Sequence, residues 1–508
     1  MEFLSGWAMT SLSFLASLFV FVIGLVALIV VLLYFIDSSQ TRDAIRHNYP
    51  VIGRFREIFS HLGEFFRQYF FALDREEMPF NRAERDWIYK SSKGKNNTQP
   101  FGSTRNLTIV GTPIFANCAF PKLDEEASDP PPVVYGPDSP NPYTASSVIN
   151  ISGMSYGALS KPAVQALSQG AKIAGCWMNT GEGALSPFHL EGDCDIIFQI
   201  GTAKYGVRTN DGGLDDAKLS KLAARPQVKM VEIKLAQGAK PGKGGILPAA
   251  KVNREIAKIR GIPADKPSIS PNRHPEIDDV SDLIDFINDV RKVSKLPTGV
   301  KIVIGSYDWL SDLCDEIDRR GPQSAPDFIT VDGGDGGTGA APMSLMDNVG
   351  LPLKSALPGL VDILEKRGLK DRIKVIASGK LVTPAEVAWA YCAGADAVNT
   401  ARGFMFSIGC IQALKCHTNN CPTGVTTHKK HLQGGLRPKT KAPQVANFVE
   451  KMRKDVAMIA HSCGAAHARD LKRKDVRIVQ PDGSSLPLDE ICDRMRPTAK
   501  AMKHSMGN

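Results

Sequence analysis

The chain has 508 residues, 43% of them hydrophobic and 23% charged, with 45 Gly, 33 Pro, 10 Cys and a formal net charge of +9. Those averages exclude a disordered or collagen-like chain. Lys and Arg are scattered and are not interleaved with aromatic residues, so the positive balance supplies no nucleic-acid-binding array.

The averages conceal one segment. From Phe3 to Ile36 there is no charged residue. About 20 apolar residues suffice to cross a bilayer, so the sequence predicts a single transmembrane helix over residues 11–36, after a short N-terminal tail, residues 1–10. A cleaved signal peptide is the competing reading. It needs a basic start, an apolar run of about 7–15 residues and a small-residue cleavage site. Here the start carries Glu2, the run is longer, and Tyr34-Phe35-Ile36-Asp37 makes a poor cleavage site. Arg42, Arg46, Arg54 and Arg56 follow the segment and no basic residue precedes it. The basic side of a span stays inside, so a single-pass protein of the inner cell membrane is expected, with its C-terminal part in the cytoplasm. The stretch Arg54–Phe71 mixes Phe, Ile and Leu with Arg and His. A helix on an anionic membrane surface and a helix packed on the following domain both fit it.

Residues 37–147 read as a juxtamembrane and wrapping lead-in. Periodicity is weak from residue 75, and Asp129-Pro130-Pro131-Pro132 and Pro137–Pro142 indicate extended loops. From Val148 short apolar runs alternate with helical stretches. Candidate strands are Val148–Ser152, Cys176–Thr180, Met230–Leu235, Gly299–Ile304, Phe328–Val331, Lys374–Ala377 and Ala397–Asn399. Helical stretches fit between them, among them Pro162–Ala174, Val280–Val293 and Pro384–Cys392. Runs buried on both faces suit a parallel sheet, and the number of units favours an α/β fold of the (β/α)8 TIM barrel type over a doubly wound sheet. The barrel is assigned to residues 148–456, with Asp193–Gly213 as an excursion from it, and residues 457–508 to a C-terminal tail.

Barrel chemistry sits at the C-terminal ends of the strands. There the sequence places Gly153-Met154-Ser155-Tyr156-Gly157, Gly181-Glu182-Gly183, Ala236–Lys240, Asp332–Gly339, Ser378-Gly379-Lys380 and Ala401-Arg402-Gly403. Glycine admits close backbone approach, and successive amides cradle anions. Six such segments at strand ends point to a cofactor pocket. None carries the strand–GxGxxG–helix fingerprint, so a mononucleotide fits better than a dinucleotide.

Seven cysteines are isolated: Cys118, Cys176, Cys194, Cys314, Cys392, Cys463 and Cys492. Buried, reduced thiols are the default for them. Cys410, Cys416 and Cys421 form C-x5-C-x4-C, followed by Pro422. On spacing alone, an iron–sulfur cluster, a zinc site completed by His417 and no metal all stay open.

Together these segments resemble the FMN-binding central domain of glutamate synthase, from about Val148 to Val456. The residues that carry the resemblance read GMSYGALS, MNTGEG, LAQGAKPGKGG, SISPNRHPEI, DGGDGGTGAAP and GCIQALKCHTNNCPTGV. The whole chain is similar to stand-alone bacterial proteins of the glutamate synthase large-subunit type. The resemblance implies an FMN-holding barrel and a 3Fe-4S cluster on Cys410, Cys416 and Cys421. It further implies that 2-oxoglutarate and ammonia form an imine, which hydride from reduced FMN converts to glutamate. On this reading Gly153, Met154 and Ser155 line the flavin, while Gly337, Gly379 and Gly403 hold its ring and phosphate. Arg402 is a phosphate ligand or a helix-start residue. Glu182 positions or protonates substrate, Lys240 pairs with a substrate carboxylate, and His274 is a further loop candidate.

Departures from the family pattern set further expectations. A transmembrane segment stands where the family's full enzyme begins with a glutamine-hydrolysing domain, so no glutaminase activity is expected. Ile246 replaces the family's Gln before Leu-Pro, which puts 2-oxoglutarate as the substrate in question. No NAD(P) domain is recognised, so electrons are expected from an external donor: a ferredoxin-like or small-subunit-like protein, or a membrane carrier. Two other readings compete. One is an N-methylglutamate synthase-like enzyme acting on an alkylamine, and the other a non-catalytic membrane-bound electron-transfer or interaction subunit.

Overall fold

Eight short parallel strands close on themselves in sequence order in the computed structural model, which describes residues 2–41 and 43–495. Arg42, one of the four arginines flanking the apolar segment, lies outside the described residues, as do residues 496–508. The strands are β1 (Asn150–Ile151), β2 (Met178–Asn179), β3 (Ile196–Ile200), β4 (Val228–Lys234), β5 (Thr298–Ile302), β6 (Phe328–Asp332), β7 (Lys374–Ser378) and β8 (Ala397–Thr400). Parallel pairing of β8 with β1 and of β4 with β5 completes the ring. Seven fall on the seven candidate strands. The eighth, β3, lies inside Asp193–Gly213, so that region is a barrel strand and its loop, not an excursion. All five β3 residues are buried, as a strand covered on both faces requires.

Alternation along the strands sorts the barrel interior into layers. On β4, Met230 belongs to an apolar layer with Trp177, Ile197, Phe328, Ile376 and Ala397. An antiparallel hairpin, Val133–Tyr135 with Tyr143–Ala145, joins this layer and closes that end of the barrel. Two residues on, Glu232 accepts hydrogen bonds from Asn179 Nδ2 (2.8 Å), Gln199 Nε2 (2.6 Å) and Thr330 Oγ1 (2.6 Å). Two residues further, Lys234 reaches the open end. The interior therefore passes from apolar to polar to charged toward the C-terminal ends of the strands.

Helices Lys161–Ala174, Val280–Ser294 and Pro384–Cys392 lie within a residue or two of their expected ranges. The first is capped by Ser160, and it packs closely on helix Pro438–Ser462. A Cβ on Gly170 would stand 2.4 Å from the Cβ of Val445. Gly170→Ala is therefore expected to destabilise the protein by about 1–2 kcal/mol, overpacking outweighing the gain in helix propensity. The chemical denaturation midpoint measures it. The lead-in contains a helix that its polar sequence concealed, Arg82–Ser92. Its Trp87 meets Phe448 edge-on at 6.0 Å, and the Ser92 carbonyl accepts from Asn447 (3.1 Å). Strand Pro113–Phe115 pairs antiparallel with Val476–Val479, joining the lead-in to the C-terminal segment.

Residues 1–82 and 83–508 are two separate compact units. The first contains helix Glu2–Ser39, of which Met9–Ser39 is long and apolar enough to cross a membrane, its most apolar stretch wholly uncovered. At about 1.5 Å per residue that length exceeds the roughly 30 Å hydrocarbon core. Helices Ala44–Asn48 and Phe55–Phe66 and a wide helical turn, Arg67–Phe71, follow.

Candidate active site

A cavity of about 940 Å³, counting its open mouth, lies at the C-terminal ends of the strands. The loops that shape it are fastened to one another. Asp332, at the end of β6, pairs with Lys301 of β5 (3.1 Å) and accepts from Ser378 Oγ of β7 (3.0 Å) and from the Gly238 amide beyond β4 (3.0 Å). Burial lowers the Lys301 ammonium, but Asp332 and Glu232 outweigh it and hold its pKa above the ordinary lysine value.

Among the described residues, Glu182 is the one acidic side chain in the cavity wall. Lys234, Lys240, Lys251, Arg260 and Arg402 also line it. Lys234 Nζ lies 2.9 Å from Glu182 Oε1 and 2.8 Å from Gln237 Oε1. Burial raises the Glu182 carboxyl, but Lys234, Lys240 and Arg260 together hold it below its ordinary value. The carboxylate is thus the anionic partner of these three cations. Lys240 is 4% exposed, and burial, with Lys234 adding to it against Glu182, brings its ammonium down to about 8. Two glycines permit the crowding. Gly181 has φ +63°, where a Cβ would meet the Ser155 amide at 2.7 Å. A Cβ on Gly245 would meet Glu182 Oε1 at 2.2 Å.

Of the residues expected from sequence, the cavity gathers Gly153, Met154, Ser155, Glu182, Lys240, Gly337, Arg402 and Cys416. Arg402 donates to the Thr338 carbonyl and lies 3.1 Å from Met405 Sδ. Gly379 and Gly403 stand behind the wall, the first against Gly333 and the second against Phe448 and Thr400. His274 is 1% exposed and its Nε2 lies 3.1 Å from the Lys234 carbonyl. It supports β4 from behind, and burial brings its pKa down to about 4. Lys234, Gln199, Arg260 and Lys251 are cavity residues that the sequence reading passed over. For Lys234 the signal was weak, because its strand reads VKMVEIK and carries Lys229 and Glu232 as well.

The cysteine loop abuts this cavity. Cys416 and His417 line it, and Lys251, 2% exposed, donates to the carbonyls of Ala158 (2.7 Å) and Cys416 (3.3 Å). Burial brings Lys251 down to about 8, against the pull of Cys416 and Cys421. His428 Nε2, 2.8 Å from the Gly157 carbonyl, and Asn419, donating to Ala250, fasten the loop to the β1 loop and to the turn at Lys251. Burial raises the Cys410 thiol to about 11; Cys416 and Cys421 are near enough to add to the rise. Burial also raises Cys421, but donors on Thr423 and Thr426 outweigh it and leave that thiol below its ordinary value. Among the described residues no three His, Cys, Asp or Glu side chains converge tightly enough to hold one metal ion. Of the isolated cysteines, Cys118 and Cys463 are half-buried and the others are buried.

The sequence matches known proteins. Residues 124–466 match the conserved region in glutamate synthase. The chain is 39% identical to the glutamate synthase large subunit-like protein YerD of Bacillus subtilis, over 94% of this chain and 98% of that one. It is 32% identical to the archaeal-type glutamate synthase (NADPH) of Dehalococcoides mccartyi, over 59% of this chain and 57% of that protein. A solved mutant of flavocytochrome b2 with pyruvate bound aligns at 14% identity and a TM-score of 0.45, over 82% of this chain and 88% of that one. With a family match over most of its length and a relative aligned almost end to end, the chain belongs to the glutamate synthase family of oxidoreductases.

Proposed function

We propose that the protein is a membrane-tethered oxidoreductase that binds FMN and a 3Fe-4S cluster and reduces the imine of a 2-oxo acid to an amino acid. The observation that carries this reading is one part-buried carboxylate ringed by Lys234, Lys240 and Arg260 in a cavity walled by Gly153–Ser155, Gly337 and Arg402. Apart from Glu182 the charged wall is cationic, as a phosphate and a dicarboxylate both require. Gly153, Met154, Ser155, Gly337 and Arg402 would hold FMN, and the bound flavin supplies hydride to the imine carbon. Three thiols on one loop beside a buried lysine suit a cluster that carries negative charge, and Cys410, Cys416 and Cys421 would hold it.

Each residue then has a defined task. Lys240 and Arg260 hold the keto acid's carboxylates. Glu182, kept ionised by its lysines, takes a proton from the incoming ammonium and returns it to the hydroxyl that leaves as water, so that a carboxylate again faces the iminium. One hydride and the proton already on that nitrogen complete the amine. The single-pass span Met9–Ser39 would place this site on the cytoplasmic side of the inner membrane.

An acidic electron-carrier protein is the donor this surface suits. From Ala397 to Val449 there is no Asp or Glu, against seven Lys and Arg. Lys429, Lys430, Arg437 and Lys439 are exposed near the cysteine loop. Opposite charge speeds such encounters and orients them.

Ile246 lines the cavity and supplies no hydrogen bond to a ligand oxygen. This favours a second reading, in which the acceptor is a keto acid other than 2-oxoglutarate or the nitrogen comes from an alkylamine. Turnover by the full chain with a reduced artificial donor tests both, with ammonium, methylamine and glutamine compared as nitrogen sources. Ile246→Gln is expected to raise kcat/KM for 2-oxoglutarate about tenfold, the worth of one well-placed hydrogen bond. No turnover of any keto acid or amino acid would leave the electron-transfer reading in its place.

A further inference from the structure

The first 82 residues carry a second apolar surface. Helix Phe55–Phe66 sets Phe55, Ile58, Phe59, Leu62, Phe65 and Phe66 at spacings of three and four, which is one helical face. The turn Arg67–Phe71 extends it with Tyr69, Phe70 and Phe71. No residue of either element is buried, and these apolar side chains are 42–74% exposed. Arg56, Glu57, Ser60 and Glu64 occupy the opposite face. Soluble proteins rarely expose an apolar patch beyond a few hundred Å².

The structure also fixes where this helix begins. Asp37 is the first charged residue after the apolar run, and it is 1% exposed. Its carboxylate accepts from Arg54 Nε (2.8 Å), Arg54 Nη2 (2.7 Å) and the Val51 amide (3.0 Å). Arg46 pairs with Glu57, tying the connector to the same helix. The residue that precedes Phe55 is thus clamped to the end of the apolar helix. If that end marks the edge of the hydrocarbon, helix Phe55–Phe66 starts at the same depth. An amphipathic helix there buries its apolar face about 5–10 Å into the headgroup boundary, a layer that favours aromatic side chains.

We propose that residues 55–71 lie in the headgroup layer of the leaflet that receives the C-terminal end of helix Glu2–Ser39, held there by the Asp37–Arg54 clamp. The inference rests on that helix spanning a bilayer. The occupant of the apolar face is the lipid surface. A second copy of the chain and the protein's own barrel are the alternatives.

The test uses the full chain in vesicles of phosphatidylethanolamine and phosphatidylglycerol, with the photocrosslinker p-benzoylphenylalanine in place of Phe59, Phe70 or Ser60. Mass spectrometry identifies what each site captures. Lipid adducts are expected at Phe59 and Phe70 at least threefold above Ser60. Asp37→Ala is expected to cut the Phe59 excess at least twofold. Crosslinks to a second copy or to the barrel, without lipid, would overturn the proposal. An unchanged excess in Asp37→Ala would overturn the clamp. Alkaline extraction of the same vesicles is read separately: release of the chain would refute the span, whereas retention without lipid adducts at 59 and 70 would refute this inference alone.

Discussion

Replacing Lys234 by methionine is expected to lower kcat/KM by about 10²–10³, the usual effect of removing a preorganised charge from an active site. Lys234 touches Glu182 at 2.9 Å and Gln237 at 2.8 Å, and all three side chains line one cavity. Without it, burial again raises the Glu182 carboxyl and only Lys240 and Arg260 oppose that rise. The sign follows directly. Activity that needs ionised Glu182 then requires a higher pH, so the acid limb of the pH–rate profile moves upward. Breaking a buried pair from one side costs about 3–5 kcal/mol, and the two remaining cations should keep the loss near the lower figure. Lys234→Arg keeps the charge and should hold the acid limb in place even where turnover suffers. Steady-state rates from pH 5 to 9, with thermal unfolding alongside, separate the two effects. Activity within threefold of the parent would remove Lys234 from the mechanism.

The second large effect lies one layer below. Glu232→Ala removes the acceptor shared by Asn179, Gln199 and Thr330 inside the barrel. A buried donor left without a partner costs about 1–3 kcal/mol, so a loss of about 4 kcal/mol or more is expected. Glu232→Gln keeps one acceptor oxygen and should cost about half as much. Asn179 also accepts from the Gly181 amide (2.9 Å), and Gln199 lines the cavity. Destabilising this floor should therefore loosen the Glu182 turn and weaken ligand retention. Chemical denaturation and ligand content of the purified variants check both statements.

Much of the barrel was legible because seven of its strands are short apolar runs bounded by Gly, Pro or Asp. β3 was not, for a physical reason. It follows Asp193-Cys194-Asp195 and runs into Gly201–Gly213, which is polar and glycine-rich, so its five apolar-flanked residues look like part of a loop. The error hid Gln199. Glycine loops at strand ends pointed to this end of the barrel, where close approach at Gly181 and Gly245 is what the Glu182 turn needs. The cations were less legible. Lys251 and Arg260 come from a long connection between β4 and β5 that has no barrel periodicity, and nothing local shows that they turn inward. Lys234 and Glu182 are likewise 52 positions apart, and only closure of the barrel brings them together.

On the function proposed above, this cavity and its cysteine loop hold FMN and an iron–sulfur cluster. The direct test is the visible absorption spectrum of the purified full-length chain, with flavin, iron and sulfide assayed on the same sample. A single FMN and about three iron atoms per chain are expected, with the iron lost in Cys416→Ser and the flavin retained. A chain that carries neither group, and takes up no FMN when incubated with it, would overturn the proposed function.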